Sequence, residues 1–385
     1  MCQVWREIFV SRPSLWTDFN CTNADKTRVY LERSKSSPIN LRLKRFHALS
    51  SDDPFHQIIP HSVGRLESLS VTGRPGSVQD IVAHLSHRAP LLARLGIDGG
   101  SQSRPQRNPV LTTALFNGDL SSLRELRLQY VRTELPWRSM ANLTSFTLSQ
   151  MLPGDLSITQ LLDFFESAPR LRNIKLDSAT PVTGGQDGRL VSLDCLKTMD
   201  ILRGDPSSLL LDHLVIPAGA KLTEWVPSFG PALGNYLPKS LDNLENIHNF
   251  TEVHLKLCEH HRHIQLSGPN GRLSIVSSVT NGDFALGCVV RFDASNAERL
   301  VASSAHGRTV LAREGLEHLQ NLRTLTFSRC VDPYYFMANL HPDKGLLGPC
   351  PALNWRNSFS FPPPIPRNST PRVWWKSWQR ERREG

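Results

Sequence analysis

The chain has 385 residues, 39% hydrophobic and 21% charged, which is enough apolar material for a sizeable core and excludes an intrinsically disordered chain. The formal charge of +9 is mostly terminal: residues 354–385 hold seven Lys or Arg against Glu381 and Glu384, leaving +4 on the body, a weak footprint for nucleic acid. No apolar run approaches a membrane span, no basic start leads into a signal core, and seven scattered cysteines form no disulfide framework, so a cytoplasmic or nuclear protein is expected.

The chain opens with CQVWREIFVSRPSLW, residues 2–16. Val4, Trp5, Ile8 and Phe9 recur at one-turn spacing, which predicts an amphipathic helix closed by Pro13, Leu15 and Trp16. Such a stripe needs an apolar partner.

Internal repetition dominates the chain from Leu66 onward. The pattern apolar-x-x-apolar-x-apolar occurs as LESLSV from Leu66, LARLGI from Leu92, LRELRL from Leu123, LTSFTL from Leu143 and LRNIKL from Leu171. It returns as LDHLVI from Leu211, FTEVHL from Phe250 and LRTLTF from Leu322. The first five starts are 26, 31, 20 and 28 residues apart, near the period of about 20–29 of leucine-rich repeats. Each unit reads as a short parallel strand whose fourth and sixth positions point inward, and it closes a core only when stacked on its neighbours. Leu126 and Leu128 are therefore expected inside, with Glu125, Arg127 and Gln129 outside. The return legs are expected to be helical, as in VQDIVAHLSHRAP and ITQLLDFFESAPR, where Ala-Pro stops the helix before the next strand.

Regularity fails after residue 180, where TPVTGGQDGR reads as loop and strand starts move 40, 39 and 72 residues apart. Within the last gap, strand-like runs flank GPNG in HIQLSGPNGRLSIVSSV, which predicts an inserted β-hairpin. CEHHRH gathers Cys258, His260, His261 and His263, but strand alternation sends His260 and His261 to opposite sides, so a polar edge is expected and no metal. Residues 351–385, rich in Pro, Trp and Arg, read as a disordered tail, or as the product of a frame change or retained intron. There is no P-loop, G-x-S-x-G, H-E-x-x-H or dinucleotide fingerprint, so neither catalysis nor a cofactor is expected.

These elements add up to an α/β chain: an irregular leucine-rich-repeat solenoid of short parallel strands alternating with helices, over residues 21–350 and least regular at 180–320, with a β-hairpin insertion. Its open strand face would present Arg94, Asp98, Glu125, Arg127, Gln129, Asn173, Lys175, Asp177, Glu252, His254 and Lys256. That row mixes both charge signs and has no large aromatic, which suits a protein surface or degron, although exposed strand residues are equally read as solvated.

The opening CQVWREIFVSRPSLWTDF resembles the last third of an F-box, in which a Cys-x-x-Trp-Arg helix is followed by a Ser-x-Pro-x-Leu-Trp closure. Downstream, LLDFFESAPRLRNIKL, LLLDHLVIPAG, YLPKSLDNLENI, RFDASNAERL and LRTLTFSRC resemble the divergent leucine-rich body of the basidiomycete family of F-box-like proteins. The resemblance spans roughly residues 1–350 and implies that residues 1–20 are the C-terminal, helical remnant of an N-terminally truncated F-box. It further implies contact with the Skp adaptor of a cullin ubiquitin ligase through Trp5, Ile8, Pro13, Leu15 and Trp16, provided the F-box is complete in the natural product. Otherwise these residues cap the solenoid. The implied function is that of an SCF-type substrate receptor, binding an unknown protein substrate on the solenoid, with no membrane and no nucleic-acid partner expected. The alternative is a stand-alone leucine-rich interaction or structural protein, or a decayed fragment without ligase function.

Overall fold

A computed structural model describes residues 2–21, 23–45, 60, 62–100, 108–112, 114–133, 140–151, 155–179, 188–203, 208–226, 238, 240–257, 262–277, 292, 294–304 and 319–328. Among these residues the chain is mixed α/β, with few helices and one large, mostly parallel sheet. In chain order the strands begin with β1 (Asp18–Asn20), β2 (Ile39–Arg45), β3 (Leu66–Gly73), β4 (Arg94–Asp98), β5 (Val110–Leu111) and β6 (Glu125–Gln129). Next come β7 (Arg132–Thr133), β8 (Ser145–Ser149), β9 (Asn173–Asp177), β10 (Val191–Ser192), β11 (Thr198–Leu202) and β12 (Leu214–Val215). The last are β13 (Lys221–Val226), β14 (Glu252–Leu257), β15 (Arg262–Gly268), β16 (Gly271–Ser277), β17 (Arg299–Ser304) and β18 (Thr324–Ser328). Fourteen of them form one sheet, ordered β1-β2-β3-β4-β6-β8-β9-β11-β13-β16-β15-β14-β17-β18, while β5–β7 and β10–β12 make two small parallel pairs.

Period-two alternation runs through the whole sheet in register. One inward row is Phe19, Leu41, Leu69, Leu95, Leu126, Phe146, Ile174, Met199, Leu222, Leu273, Leu266, Val253 and Leu300, all buried. A second row, two residues on, is Leu43, Val71, Ile97, Leu128, Leu148, Leu176, Ile201, Glu224, Ile275, Ile264, Leu255 and Ala302, also buried. At about 1.5–3 kcal/mol for each fully buried large apolar side chain, these two rows supply the main favourable contribution to holding the strands together.

The repeat is one of backbone as well as side chains. The amide of the first apolar position closes a tight turn onto the carbonyl three residues back at Leu123, Leu143, Leu171 and Leu196. The carbonyl of the second position accepts two amides from the next unit: Arg172 takes Lys197 and Thr198 at 2.8 and 3.0 Å, and Glu298 takes Arg323 and Thr324 at 2.8 and 2.9 Å. The residue just after the strand is left-handed in four consecutive units, at Tyr130, Gln150, Ser178 and Arg203, with φ of 49–55°. Such a conformation costs a non-glycine residue about 1 kcal/mol. In three of the four it turns the amide onto the neighbouring strand's last carbonyl: Tyr130 to Ser149 at 3.2 Å, Gln150 to Asp177 at 2.7 Å and Ser178 to Leu202 at 2.7 Å.

Among the described residues, α-helices occupy some of the connections. They are α1 (Gln3–Ser11), α2 (Ala24–Ser34), α3 (Pro75–Ala83), α4 (Ile158–Ser167) and the single turn α5 (Ser208–Leu211). Sequence explains their limits. Asn23 caps α2 by accepting from the Lys26 amide at 3.0 Å, Pro75 pre-sets φ at the first turn of α3, and Ser157 and Gln160 form a reciprocal capping box on α4. The two return legs expected to be helical, VQDIVAHLSHRAP and ITQLLDFFESAPR, carry α3 and α4, whereas the described residues between Leu123 and Leu143 hold the two-residue strand β7 and no helix.

One correction concerns a strand unit, and one expected insertion is present. The LDHLVI unit does not enter the large sheet; Leu211, Leu214 and Ile216 are buried, but β12 pairs with β10 in a small outlying sheet. The sheet positions at that point belong to β11 and β13. The hairpin β15–β16 is present, and it lies within the sheet, antiparallel between β13 and β14. The chain thus passes from β13 over two strand positions to β14, returns through the hairpin, and crosses again to β17. Because two antiparallel steps restore direction, β14 and β17 pair in parallel and the regular double acceptance resumes beyond the hairpin.

Candidate functional site

Alternate side chains opposite the inward rows form the polar face of the sheet. Its first row aligns Arg94, Glu125, Ser145 and Asn173; its second Gly96, Arg127, Thr147 and Lys175; its third Asp98, Gln129, Ser149 and Asp177. The structure therefore brings eight of the eleven expected face residues into one block on β4, β6, β8 and β9. Glu252, His254 and Lys256 lie on β14, with β11, β13, β16 and β15 between, about 24 Å away at the usual strand spacing.

The intervening strands add residues that the sequence pattern did not select. Thr198 and Asp200 of β11, Lys221, Thr223 and Trp225 of β13, and Arg272 and Ser274 of β16 continue the rows. Trp225 is half-buried and alternates outward with Thr223, so the face does carry a large aromatic. The signal that could have located β11 was present: Leu196, Met199 and Ile201 keep the unit's spacing, with methionine in place of leucine.

Most acids on this face are engaged within the chain. Asp98 accepts from the Gly100 amide at 2.9 Å, Glu125 pairs with Arg127 at 2.6 Å, and Asp177 takes a forked contact from Arg203 at 3.2 and 3.0 Å. Arg94 bridges Asn40 and Glu67, and Asn173 accepts from the Thr198 hydroxyl. Glu252 accepts from His254 at 3.1 Å, Arg299 at 3.1 Å and Ser267 at 3.4 Å. Partial burial alone would raise its carboxyl, but the hydrogen bond and charge of His254, the charge of Arg299 and the Ser267 hydroxyl together hold it below the ordinary glutamate value.

A carboxyl depressed in the folded state stabilises the fold above its unfolded value, and that contribution disappears as pH falls through the lower native value. The melting temperature should therefore drop more steeply below the ordinary value of 4.5 in the wild type than in Glu252→Gln. Thermal melts between about pH 7 and about pH 3 check this; parallel curves would mean that Glu252 gains nothing from its partners.

The first helix is a second surface. None of α1 is buried, and Val4, Trp5, Ile8, Phe9 and Val10 are exposed, Trp5 at 59%. Leu15 is 48% exposed on the following turn of 3-10 helix, which Pro13 opens. Trp16 is engaged internally. Its indole N–H donates to the Phe9 carbonyl at 2.7 Å, its ring meets Tyr30 edge-on at 5.1 Å, and the Arg33 guanidinium lies over it at 4.4 Å. Trp16 thus ties the end of α1 to α2, while Trp5, Ile8 and Leu15 remain outward.

Among the described residues no cluster of His, Cys, Asp and Glu could hold a metal ion, and no helix is long and apolar enough to cross a membrane. His263 contacts the Ser274 hydroxyl at 2.6 Å; Cys258, His260 and His261 lie outside the described residues, as does the tail at 351–385. Comparison with protein-family models, curated proteins and solved structures finds no match to this chain.

Proposed function

We propose that this chain is a protein-interaction module: an irregular leucine-rich-repeat solenoid that acts as the substrate receptor of an SCF-type cullin ubiquitin ligase and binds rather than catalyses. The observation that carries the reading is the division of labour in the sheet, an apolar row on one side and a continuous polar face on the other. The recurring tight turn, double carbonyl acceptance and left-handed residue support the repeat. The substrate docks on the polar face. The adaptor docks on the outward stripe of Trp5, Ile8 and Leu15, with Pro13 setting the turn.

The test is capture by a purified Skp adaptor of the 385-residue chain, used as it stands and preceded by the N-terminal helices of a characterised F-box. The extended form should be captured, and Trp5→Asp or Ile8→Asp should weaken capture by about tenfold or more, since buried aromatic and aliphatic anchors dominate such interfaces. Lys175→Asp, on the sheet face, should not. If neither form is captured, the second reading stands: a stand-alone interaction protein, favoured by the internal engagement of Trp16, which then serves as a cap on α2.

A further inference from the structure

We propose that Arg124, Arg172, Lys197, Lys221 and Arg272 form a basic rim that docks an acidic polypeptide segment lying across the strands. This rests on the interaction-module reading but not on its ligase arm, because it concerns what the sheet binds and not what carries the chain.

The five cations stand at the starts of β6, β9, β11, β13 and β16, strands that share one stretch of sheet with only β8 intervening. Their backbones are direct neighbours: the Lys197 amide donates to Arg172 at 2.8 Å, the Lys221 amide to Lys197 at 2.9 Å, and Lys221 is in register with Arg272. At about 4.8 Å per strand the rim runs for about 24 Å. All five are exposed, and among the described residues none makes a side-chain hydrogen bond or ion pair.

Lys175 on the polar face shares that freedom, whereas several neighbouring arginines do not. Arg94, Arg127, Arg203 and Arg299 are each matched to a carboxylate. The acids in the loops that lead into the rim strands are turned inward to their own loops. Asp119 accepts from the Ser121 amide and hydroxyl, and Asp194 from the Ser192 hydroxyl. Two face acids lie near the rim: Glu125, next to Arg124 and paired with Arg127, and Asp200, in an adjoining row beside Lys175. Five closely spaced cations without counter-charge repel one another, and an external anion relieves that repulsion.

The chemistry favours carboxylates over nucleic acid. An extended peptide advances about 3.4 Å per residue, so alternate acidic side chains recur about every 7 Å, within reach of long Lys and Arg stems on successive strands. Single-stranded nucleic acid is held by aromatic platforms interleaved with cations, and the rim has none; Trp225 lies four residues along β13 from Lys221.

The experiment uses the full chain and fluorescence anisotropy with three probes: a labelled peptide alternating Asp with Ser, the same peptide with Asn for Asp, and single-stranded oligothymidine. The acidic peptide should bind with an affinity that falls with salt, and the Asn peptide should not bind. Arg172→Glu, Lys197→Glu and Lys221→Glu combined should weaken the acidic peptide by roughly a hundredfold at low salt. Reversal of Arg6, Lys26 and Arg28, which changes net charge equally at the other end of the chain, should leave it within about twofold. Circular dichroism establishes that both triple variants are folded; should the rim triple not fold, single Lys197→Glu, expected to weaken binding by several-fold, replaces it. Equal losses in the two triples, or no loss in the rim triple, overturn the site. Tighter binding of oligothymidine, lost with the rim, overturns the acidic-polypeptide assignment. Failure of adaptor capture would leave all these outcomes unchanged, so the two readings fail separately.

Discussion

Leu128→Asp should unfold the central strands under conditions where the wild type is intact, whereas Arg127→Asp should leave the melting curve almost in place. Leu128 is 1% exposed, in register between Ile97 and Leu148, so aspartate there buries a carboxylate among aliphatic groups with no cation in the row. Loss of the leucine contacts together with an unpaired buried charge costs about 3–5 kcal/mol or more, a large share of a total stability of about 5–15 kcal/mol. Arg127 is the next residue and points the other way. Its replacement removes a 2.6 Å contact with Glu125 at a largely exposed site, which is about 1 kcal/mol at most. Thermal or denaturant melts of the pair decide the matter. Equal costs would mean that inward and outward positions have been exchanged, and with them every residue assigned to the polar face.

The legibility of the fold in the sequence depends on how strictly each strand keeps its apolar signature. β3, β4, β6, β8 and β9 carry large aliphatic or aromatic residues at all three unit positions, and the pattern located each of them. β17 keeps the spacing with Ala297, Leu300 and Ala302, all buried, but alanine is smaller than the large apolar residues by which the other units are recognised. β13 is harder still, because Glu224, 1% exposed, occupies a row position whose register neighbours are Ile201 and Ile275. In its place LDHLVI offered the correct spelling in the wrong layer; its leucines are buried as expected, yet they pack on the return side, where β12 pairs with β10. Spacing reports burial, and burial alone does not say which sheet a strand joins.

The face residues were legible only as far as the strands were. Alternation assigned Glu125, Arg127 and Gln129 once β6 was located, but with β11 and β13 unrecognised, the expected face lacked Thr198, Asp200, Lys221, Thr223 and Trp225, which lie between Asp177 and Glu252. The rim was hidden for a different reason. Net charge averages over the chain, and a body carrying only +4 contains acids that are consumed by their own loops and by neighbouring arginines. What remains at one sheet border is a local excess of positive charge that composition cannot express.

Gly268→Ala should destabilise the chain by about 2–4 kcal/mol, a large effect for a single added methyl, because that methyl has nowhere to go. A Cβ at Gly268 would lie 2.4 Å from the Asn249 carbonyl oxygen, 3.1 Å from the Phe250 Cα and 3.2 Å from the Asn249 carbonyl carbon, all backbone atoms. Neither side yields easily. Gly268 ends β15 opposite Gly271, and Phe250 is a fully buried residue leading into β14, with the Thr251 amide bonded to the Ser267 carbonyl at 3.0 Å. This close approach seats the hairpin against the entry to β14 and so makes the reversed strand order possible. Hydrogen exchange should therefore quicken in β14, β15 and β17 before it does in β3 to β9. Gly76→Ala is the matched comparison: nothing lies within 4 Å of its Cβ position, and it sits in the first turn of α3, so alanine there should stabilise by up to about 1 kcal/mol through lost unfolded-state freedom. A Gly268→Ala variant that melts with the wild type would mean that the hairpin does not pack on residues 249–250, and the sheet order from β13 to β17 would fall with it.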